Sequence, residues 1–216
     1  MKKYFQGTVL VLILSLSFVL FLALARVVWT GRYTFAFLPW NLFLAGLPWL
    51  ISQSLGRSGK LAGYQRWTLF FLWLLFFPNA PYLVTDLIHF DPEPGIPVWF
   101  DVILLFSAAW TGLWMGLMSL PPVERFLASS WGMFRMRIAM PLLLFLSAYG
   151  VYLGRVLRWN SWDMFTRPGA ILYDTALRVR HPFHHLETWG LTAMMGVLLC
   201  MVYYGMKAGK IREWAN

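Results

Sequence analysis

The sequence predicts an all-α fold, a polytopic transmembrane helix bundle of six membrane-spanning helices with a short interfacial helix in a long outer loop. The chain is 59% hydrophobic and only 12% charged, about half the charged fraction of a soluble domain. Its charges lie between long uncharged runs, each near the roughly 17–25 residues that a helix needs to cross the hydrocarbon core. Such runs must be helical, because lipid offers no partner to free backbone polar groups.

The uncharged runs place the spans at about 8–29, 33–54, 66–85, 100–122, 137–157 and 187–206. They account for most of residues 1–216, so we expect a single integral membrane domain and no soluble module. The first span follows Lys2 and Lys3, as the apolar part of a signal peptide would. Its apolar stretch is longer than the roughly 7–15 residues of such a segment, which predicts a retained anchor.

The distribution of charge predicts the orientation of the spans. With the N-terminus inside, the inner ends and loops hold eleven cations against Glu124 and Glu213, and the outer ones hold seven arginines against seven acids. This pattern predicts that both termini are cytoplasmic. The net charge of +9 therefore reflects topology, and we expect no nucleic-acid partner. The outer cations are all arginine, whose planar guanidinium binds carboxylates or phosphates through two bonds.

The third span contains the most informative stretch, residues 77–89. Pro78 and Pro81 predict a kink or a break, because each proline leaves a backbone carbonyl without its helical donor. If the helix resumes, four polar residues fall within an arc of about 80° and should face the bundle interior or an outward cavity; they are Asn79, Tyr82, Asp86 and His89. In the alternative, Asn79 only satisfies the freed carbonyls and Asp86 marks the end of the span.

The end of the fifth span carries a second group of polar residues. Tyr152, Arg155 and Trp159 have the spacing of one helix face. Arg155 and Arg158 either extend to the headgroups or form ion pairs, for which the sequence offers Asp86, Asp101 and Asp163. In the loop that follows, Pro168 predicts the start of a short helix that ends at His181-Pro182. We expect this helix to lie along the membrane interface on its apolar residues Ile171, Leu172, Ala176 and Val179.

Histidines and acids on the predicted outer side give a metal hypothesis. Carboxylate and imidazole ligands suit zinc or manganese, and the candidates are Asp86, His89, His181 and His185. The spacing matches no strict metal signature, so a divalent metal is compatible with the sequence without being favoured. Cys200 lies inside the last span and is the only cysteine, which excludes an intramolecular disulfide.

Three stretches, PNAPYLVTDL, PVWFD followed by LLFSAAWTGL, and YLGRVLRWNSWD, resemble a family of uncharacterised bacterial multi-pass membrane proteins of unknown function. The resemblance extends from the third span to the last. It implies a bacterial inner-membrane protein and no particular activity. It concentrates the family signature on Asn79, Pro81, Tyr82, Thr85, Asp86, Asp101, Arg155, Asn160 and Asp163.

Three classes of function are compatible with these residues. The first is a membrane enzyme or binding protein with a polar site open to the periplasmic face, for an anionic lipid-linked or amphiphilic ligand. Asp86 or His89 would act as acid or base, and the ligand would contact Asn79, Tyr82, Thr85, Asp101, Arg155, Arg158, Asn160 and Asp163. The second is a non-catalytic accessory protein folded around structural ion pairs. The third, less favoured because no polar residues lead inward, is a small-solute transporter.

Overall fold

The computed structural model describes residues 2–56, 62–91 and 95–213, and every regular element among them is helical. In chain order they are α1 (Lys2–Thr30), α2 (Phe37–Gly56), α3 (Gly63–Phe76), α4 (Asn79–Thr85), a 3₁₀ turn (Asp86–His89), α5 (Val98–Trp131), α6 (Met133–Arg155), α7 (Asp163–Thr166), α8 (Pro168–Arg180), a 3₁₀ turn (Pro182–His184) and α9 (Leu186–Glu213). The all-α class is confirmed. Arg57, Lys60 and Glu93, which enter the charge distribution, lie outside the described residues.

Five stretches of the described residues are long and apolar enough to cross a membrane, namely Val9–Thr30, Gly63–His89, Val98–Trp131, Met133–Arg155 and Leu186–Gly209. The chain is therefore a multi-pass membrane protein. The second predicted span corresponds to α2, which has 20 residues. Its length suffices for a crossing, but with polar Asn41 and Gln53 and the internal Pro48 its mean hydropathy is below that of the five stretches.

The helix that contains the fourth predicted span, α5, is longer than that span. It continues beyond residue 122, through Pro121 and Pro122, to Trp131. Prolines are tolerated inside membrane helices when neighbouring helices pack around the interrupted hydrogen bonds. Here Pro122 is buried, between the core residues Leu120 and Val123. The turn to α6 comes at Gly132, whose φ of 86° suits glycine.

The second half of the third span, α4, is packed tightly between α5 and α6. Four glycines face it, namely Gly112 and Gly116 of α5 and Gly150 and Gly154 of α6. A Cβ atom at Gly116 would lie 2.8 Å from the Cβ of Ala80, and one at Gly150 would lie 2.6 Å from the Cγ of Pro78. The glycines thus allow a close approach of the backbones, as small residues do between membrane helices.

The first half of the third span, α3, contacts its neighbours through large aromatic side chains instead. Trp67, Phe70 and Trp73 belong to the core around α5, α6 and α9. The ring centroids of Trp67 and Phe70 lie 5.0 and 5.8 Å from that of Phe126 on α5. Aromatic side chains at a contact hold helix axes further apart than glycines do. The third span is therefore close to its neighbours beyond the break and more widely spaced before it.

Candidate functional site

The third span breaks between α3 and α4, as its two prolines predict. The amide of Ala80 donates to the carbonyl of Phe77, three residues back, so the carbonyl of Phe76 has no helical donor. Asn79 Nδ2 donates to this carbonyl at 2.8 Å and to Ser161 Oγ, in the loop after α6, at 3.2 Å. Asn79 therefore satisfies the freed carbonyl and also joins the third span to that loop.

Arg155, the last residue of α6, is held by side chains of the third span. Its Nε donates to Thr85 Oγ1 and its Nη1 to His89 Nε2, both at 2.8 Å, and its Nη2 forms an ion pair with Asp86. Its guanidinium carbon lies 4.1 Å from the centroid of the Tyr82 ring, within cation–π distance. The ion pair between Asp86 and Arg155 that the sequence predicted is confirmed.

Asp86 has partners for both carboxylate oxygens. The residue is 1% exposed, and its Oδ2 accepts a hydrogen bond of 2.9 Å from Asn41 Nδ2 on α2. The remaining oxygen is the one paired with Arg155. An unpaired charge at such a place would cost several kcal/mol, on the order of 3–5. Asp86 thus connects α2, the third span and α6. Of the polar stripe, Asp86 faces the bundle interior, Asn79 and Tyr82 are half-buried, and His89 is exposed.

Asp101 forms a separate ion pair with Arg26. The guanidinium of Arg26 donates through Nε to Oδ1 at 2.8 Å and through Nη2 to Oδ2 at 3.1 Å, and both side chains are at most 2% exposed. The Arg26 guanidinium also lies 4.3 Å from the centroid of the Phe35 ring. This pair attaches α1 to the start of α5. The structure does not bring Asp101 together with Asp86 and Arg155, as a single cavity would have required.

The predicted helix face of Tyr152, Arg155 and Trp159 is wrong, because α6 ends at Arg155. The chain then turns, with Arg158 in the left-handed region at a φ of 60°. The amide of Trp159 donates back to Leu153 at 3.0 Å, which closes the turn. Arg158 is exposed and forms no ion pair or hydrogen bond with the residues that the structure describes.

Asp163 is used locally, in the loop after α6. Its Oδ2 accepts from the amide of Asn160 at 2.7 Å, and its Oδ1 accepts from Thr166 Oγ1 at 3.4 Å. It therefore orders the turn that leads into α7 and does not reach Asp86 or Arg155. Of Asp163 and the two arginines, only Arg155 forms a hydrogen bond or an ion pair with the described residues of the third span.

The structure does not gather the four candidate metal ligands. His89 Nε2 accepts a hydrogen bond from Arg155, whereas the His181 ring packs edge-on against His184. In residues 2–56, 62–91 and 95–213 no three His, Cys, Asp or Glu side chains come together as a metal site would need. A joint site of Asp86, His89, His181 and His185 is not formed in this structure.

A crevice of about 810 Å³ lies between α2, the third span, α6 and the helices α7 and α8. Its walls are mainly apolar, with Leu72 and Leu75 on one side and Leu146 and Leu153 on the other. Several lining side chains are also exposed on the surface of the bundle, namely Trp40, Phe71, Leu146, Trp162, Phe165 and Leu172. The crevice therefore opens at the side of the helix bundle.

One end of the crevice is polar but carries no charge. The amides of Asn41, Asn79 and Asn160 and the hydroxyls of Ser161 and Tyr82 line it. Among the lining residues in the described part of the chain there is no Lys, Arg, His, Asp or Glu. We call this group of five residues the polar end. Three of them were predicted site residues, and the Asp86–Arg155 pair lies directly behind Asn41 and Tyr82.

The helix α8 covers the crevice beside the polar end. The predicted helix is confirmed, with Pro168 as its first residue and Arg180 as its last. Of the apolar residues expected to lie along the membrane interface, Leu172, Ala176 and Val179 are exposed, whereas Ile171 is buried. The helix also docks on the bundle through polar groups, including a hydrogen bond of 2.9 Å from Tyr149 Oη to Thr175 Oγ1.

A chain of hydrogen bonds fixes the indole of Trp159, which lines the crevice. Trp159 Nε1 donates to Asp174 Oδ2 at 2.9 Å. Arg178 donates through Nη1 to the backbone carbonyl of Asp174 at 2.7 Å and through Nε to Tyr152 Oη at 3.0 Å. Arg178 is 9% exposed and so forms the buried support of this group.

The sequence argument did not assign a role to Arg26, Asn41, Trp159, Ser161, Asp174 or Arg178. The spacing of Asp174 and Arg178 at i and i+4 on one helix was the available signal for their contact. Asn41 contacts Asp86, which is 45 positions further along the chain, and Arg26 contacts Asp101, which is 75 positions further. Such long-range contacts leave no periodic pattern in the sequence.

Comparison with known families gives one match. Residues 40–202 match the family described as protein of unknown function (DUF1361). The matched range includes every residue that lines the crevice and both partners of the Asp86–Arg155 pair, whereas α1 with Arg26 precedes it. No curated protein and no solved structure gives a significant match to the chain. Since the match covers most of its length, the chain belongs to the DUF1361 family of proteins of unknown function.

Proposed function

We propose that the protein binds an amphiphilic, lipid-like molecule that enters the crevice sideways from the membrane. The observation that carries this proposal is the combination of long apolar walls with a polar end in one laterally open crevice. A water-soluble ligand would leave the apolar walls uncovered. An acyl chain would cover them and gain van der Waals contact along their length, which is the main driving force for apolar association inside a bilayer.

The crevice has about the depth of one lipid leaflet. Apart from the polar end, its lining extends along the third span from Thr68 to Pro78, a distance of about 15 Å at 1.5 Å per helical residue. The hydrocarbon core of a bilayer is about 30 Å thick. A chain from one leaflet would therefore fill the crevice while its headgroup contacts the polar end. The apolar lining around Thr68 offers no polar path further inward, which favours binding over solute transport.

The geometry of α2 supports six membrane spans rather than five. Asn41, near the start of α2, contacts Asp86 at the end of the third span. Gly56, at the other end of α2, is packed against α5, where a Cβ atom would lie 3.3 Å from the Cβ of Pro122. We therefore propose that α2 crosses the bilayer, antiparallel to the third span, despite its lower hydropathy.

The charge distribution supports a location and an orientation for these six spans. With both termini in the cytoplasm of a bacterial cell, the basic inner loops follow the positive-inside rule of the inner membrane. The segments on the other side contain Asp86, Asp101, Asp163 and the loop after α6. In this orientation the polar end of the crevice lies in the periplasmic leaflet.

The geometry favours a binding role over acid–base catalysis by Asp86 and His89. Asp86 is occupied by Arg155 and Asn41, and neither it nor His89 lines the crevice. We propose that Asp86, Thr85 and Arg155 are positioning residues, which hold Asn41 and Tyr82 at the polar end. Catalysis by Asp86 or His89 stays a prediction.

The second candidate is the non-catalytic accessory protein, and a specific observation favours it. Both buried ion pairs, Arg26 with Asp101 and Arg155 with Asp86, join helices that are distant in sequence, as structural pairs do. In that case the crevice would hold bulk lipid without selection. The two candidates differ in what the purified protein retains.

Two substitutions of α6 leucines test the proposal. Leu146 lines the crevice, and Leu142, one turn earlier, is exposed on the same helix but does not line it. We expect Leu146→Trp to fill the crevice and Leu142→Trp to leave it open. Native mass spectrometry of protein released from nanodiscs made of cell lipids should then show a lipid species enriched on the wild type and on Leu142→Trp, and lost from Leu146→Trp. Bulk lipid composition on all three proteins would overturn the proposal.

A further inference from the structure

We infer that the crevice selects a lipid whose headgroup is uncharged and rich in hydroxyl groups, as in a sugar-bearing lipid. The inference rests on the proposed function and names the ligand class for the same site. Three features of the polar end carry it, namely the absence of charge among its lining residues, the unused hydrogen-bonding groups of its amides, and a fixed aromatic ring beside them.

The charge of the lining residues argues against an anionic headgroup. A phosphate that leaves water requires a cation or several donors to compensate its lost hydration. Arg155 is the cation nearest to Tyr82, and Asp86 already neutralises it. The charge of Arg158 also acts on Tyr82, but its side chain is exposed to solvent and does not line the crevice. The lining residues themselves supply amides, hydroxyls and indoles, none of which is charged. An uncharged headgroup enters such a place without an electrostatic penalty.

The amides at the polar end keep groups available for a ligand. Asn79 uses Nδ2 for Phe76 and Ser161, and Asn41 uses Nδ2 for Asp86, so that each leaves its carbonyl oxygen for a ligand. The side chain of Asn160 forms no hydrogen bond with the described residues, which leaves both its donor and its acceptor. Hydroxyl groups also donate and accept, so neighbouring hydroxyls of a sugar match these amides.

The Trp159 indole supplies a flat apolar surface next to the amides. Its ring cannot rotate freely, because Nε1 donates to Asp174, which Arg178 holds in turn. A pyranose ring has a face of C–H groups and an edge of hydroxyls. The C–H face would pack on the negative face of the indole while the hydroxyl edge contacts Asn160 and Ser161. An aromatic ring fixed before binding lowers the entropy cost of such a contact.

The test compares three lipids with the same two oleoyl chains, namely a glucosyl diacylglycerol, phosphatidylglycerol and diacylglycerol. The full-length protein is purified in a detergent without a sugar headgroup and reconstituted in phosphatidylcholine nanodiscs that contain the three lipids in equal amounts. Native mass spectrometry then counts which lipid stays on the protein. We expect the glucosyl lipid to be enriched about tenfold over the other two, a difference that two or three additional hydrogen bonds supply.

Two charge substitutions at one exposed position sharpen this test. Asn160→Asp keeps an acceptor for sugar hydroxyls and places a negative charge beside the headgroup, whereas Asn160→Lys places a positive one. We expect Asn160→Asp to retain the glucosyl lipid within about threefold of the wild type. Asn160→Lys should recruit phosphatidylglycerol instead. Ala170→Asp is the matched control, since Ala170 is exposed on α8, outside the crevice, and should leave all three lipids unchanged.

The possible outcomes separate the inference from the function on which it rests. Enrichment of the glucosyl lipid that is lost in Trp159→Ala and kept in Ala170→Asp supports the inference. Enrichment of phosphatidylglycerol on the wild type, weakened by Asn160→Asp, overturns the inference and leaves lipid binding intact. Equal enrichment of glucosyl lipid and diacylglycerol shows that no headgroup is recognised and also overturns it. If none of the three exceeds its bulk share, and cell lipids show no enrichment either, the proposed function falls as well.

Discussion

Arg155 at the end of α6 and Asp86 at the end of the third span form an ion pair whose side chains are 11% and 2% exposed. The pair joins the two elements at the place where the third span has just broken and resumed. Asn41 holds the second oxygen of Asp86, and the Tyr82 ring lies under the guanidinium. The pair thus fixes two residues of the polar end without itself lining the crevice.

Substitution of either residue of this pair should destabilise the fold. Asp86→Asn leaves a nearly buried guanidinium without its counter-charge, and Arg155→Lys keeps the charge but loses the separate contacts to Thr85 and His89. We expect a loss of about 3–5 kcal/mol in the free energy of unfolding for Asp86→Asn and a smaller loss for Arg155→Lys. Thermal unfolding in detergent measures both.

The matched control for these substitutions is Arg158→Lys, three residues further along the chain. Arg158 is exposed and forms no hydrogen bond or ion pair with the described residues, so its replacement by lysine, which keeps the charge, should change stability by no more than about 0.5 kcal/mol. A wild-type melting temperature in Asp86→Asn would show that the pair contributes nothing to the fold. Asp86 would then again be a candidate for an acid or base in catalysis.

The sequence predicted the helical spans and the break at the prolines because both are local. Long uncharged runs and the missing donors of Pro78 and Pro81 determine them over a few residues. The sequence could also suggest the ion pair of Asp86 with Arg155, because each residue lies at the end of a span on the same predicted side of the membrane. The crevice was not predictable, because it depends on the spacing of helices, which aromatic residues of α3 and glycines of α5 and α6 set in three dimensions.

The glycine contacts of α4 give a second prediction. A Cβ atom at Gly150 would lie 2.6 Å from the Cγ of Pro78 and 3.0 Å from its Cβ, and the proline ring has little freedom to move. Gly150→Ala should therefore push α4 away from α6 and lower stability by about 1–3 kcal/mol. Gly190→Ala in α9 is the control, since its Cβ atom would have no neighbour within 4 Å. Equal melting temperatures of the two variants would contradict the close packing of α4.

The third prediction concerns the crossing of α2. Tyr33 and Tyr64 lie before and after this helix, and their side chains are 75% and 73% exposed. In a Cys200→Ala background, Tyr33→Cys in spheroplasts should react with a membrane-impermeant maleimide, and Tyr64→Cys should react only after permeabilisation. Their similar exposure makes the two positions comparable. Labelling of both from the same side would mean that α2 does not cross the bilayer.

The fourth prediction concerns the ion pair that lies outside the candidate site. Asp101→Asn leaves the guanidinium of Arg26, which is 1% exposed, without its carboxylate and should lower the free energy of unfolding by about 3–5 kcal/mol. Because α1 is attached to α5 through this pair, limited proteolysis should cut α1 first. Lipid retention by the folded fraction should stay at the wild-type level. A selective loss of bound lipid in folded Asp101→Asn would show that this pair also serves the site.

The last prediction takes the opposite case, a residue that should affect the site more than the fold. Asp174 is 30% exposed and its ion pair with Arg178 is long, at 3.7 Å. Because Arg178 keeps its hydrogen bonds to the Asp174 carbonyl and to Tyr152 Oη, we expect this ion pair to contribute no more than about 1 kcal/mol. Asp174→Ala keeps the backbone carbonyl that Arg178 uses but removes the acceptor of the Trp159 indole. We expect a nearly unchanged melting temperature together with reduced lipid retention, because the ring is no longer fixed beside Asn160. With Asp101→Asn as its counterpart, the pair of variants separates stability from binding. If Asp174→Ala retains lipid like the wild type, the orientation of Trp159 does not matter for binding, and the polar end acts through its amides alone.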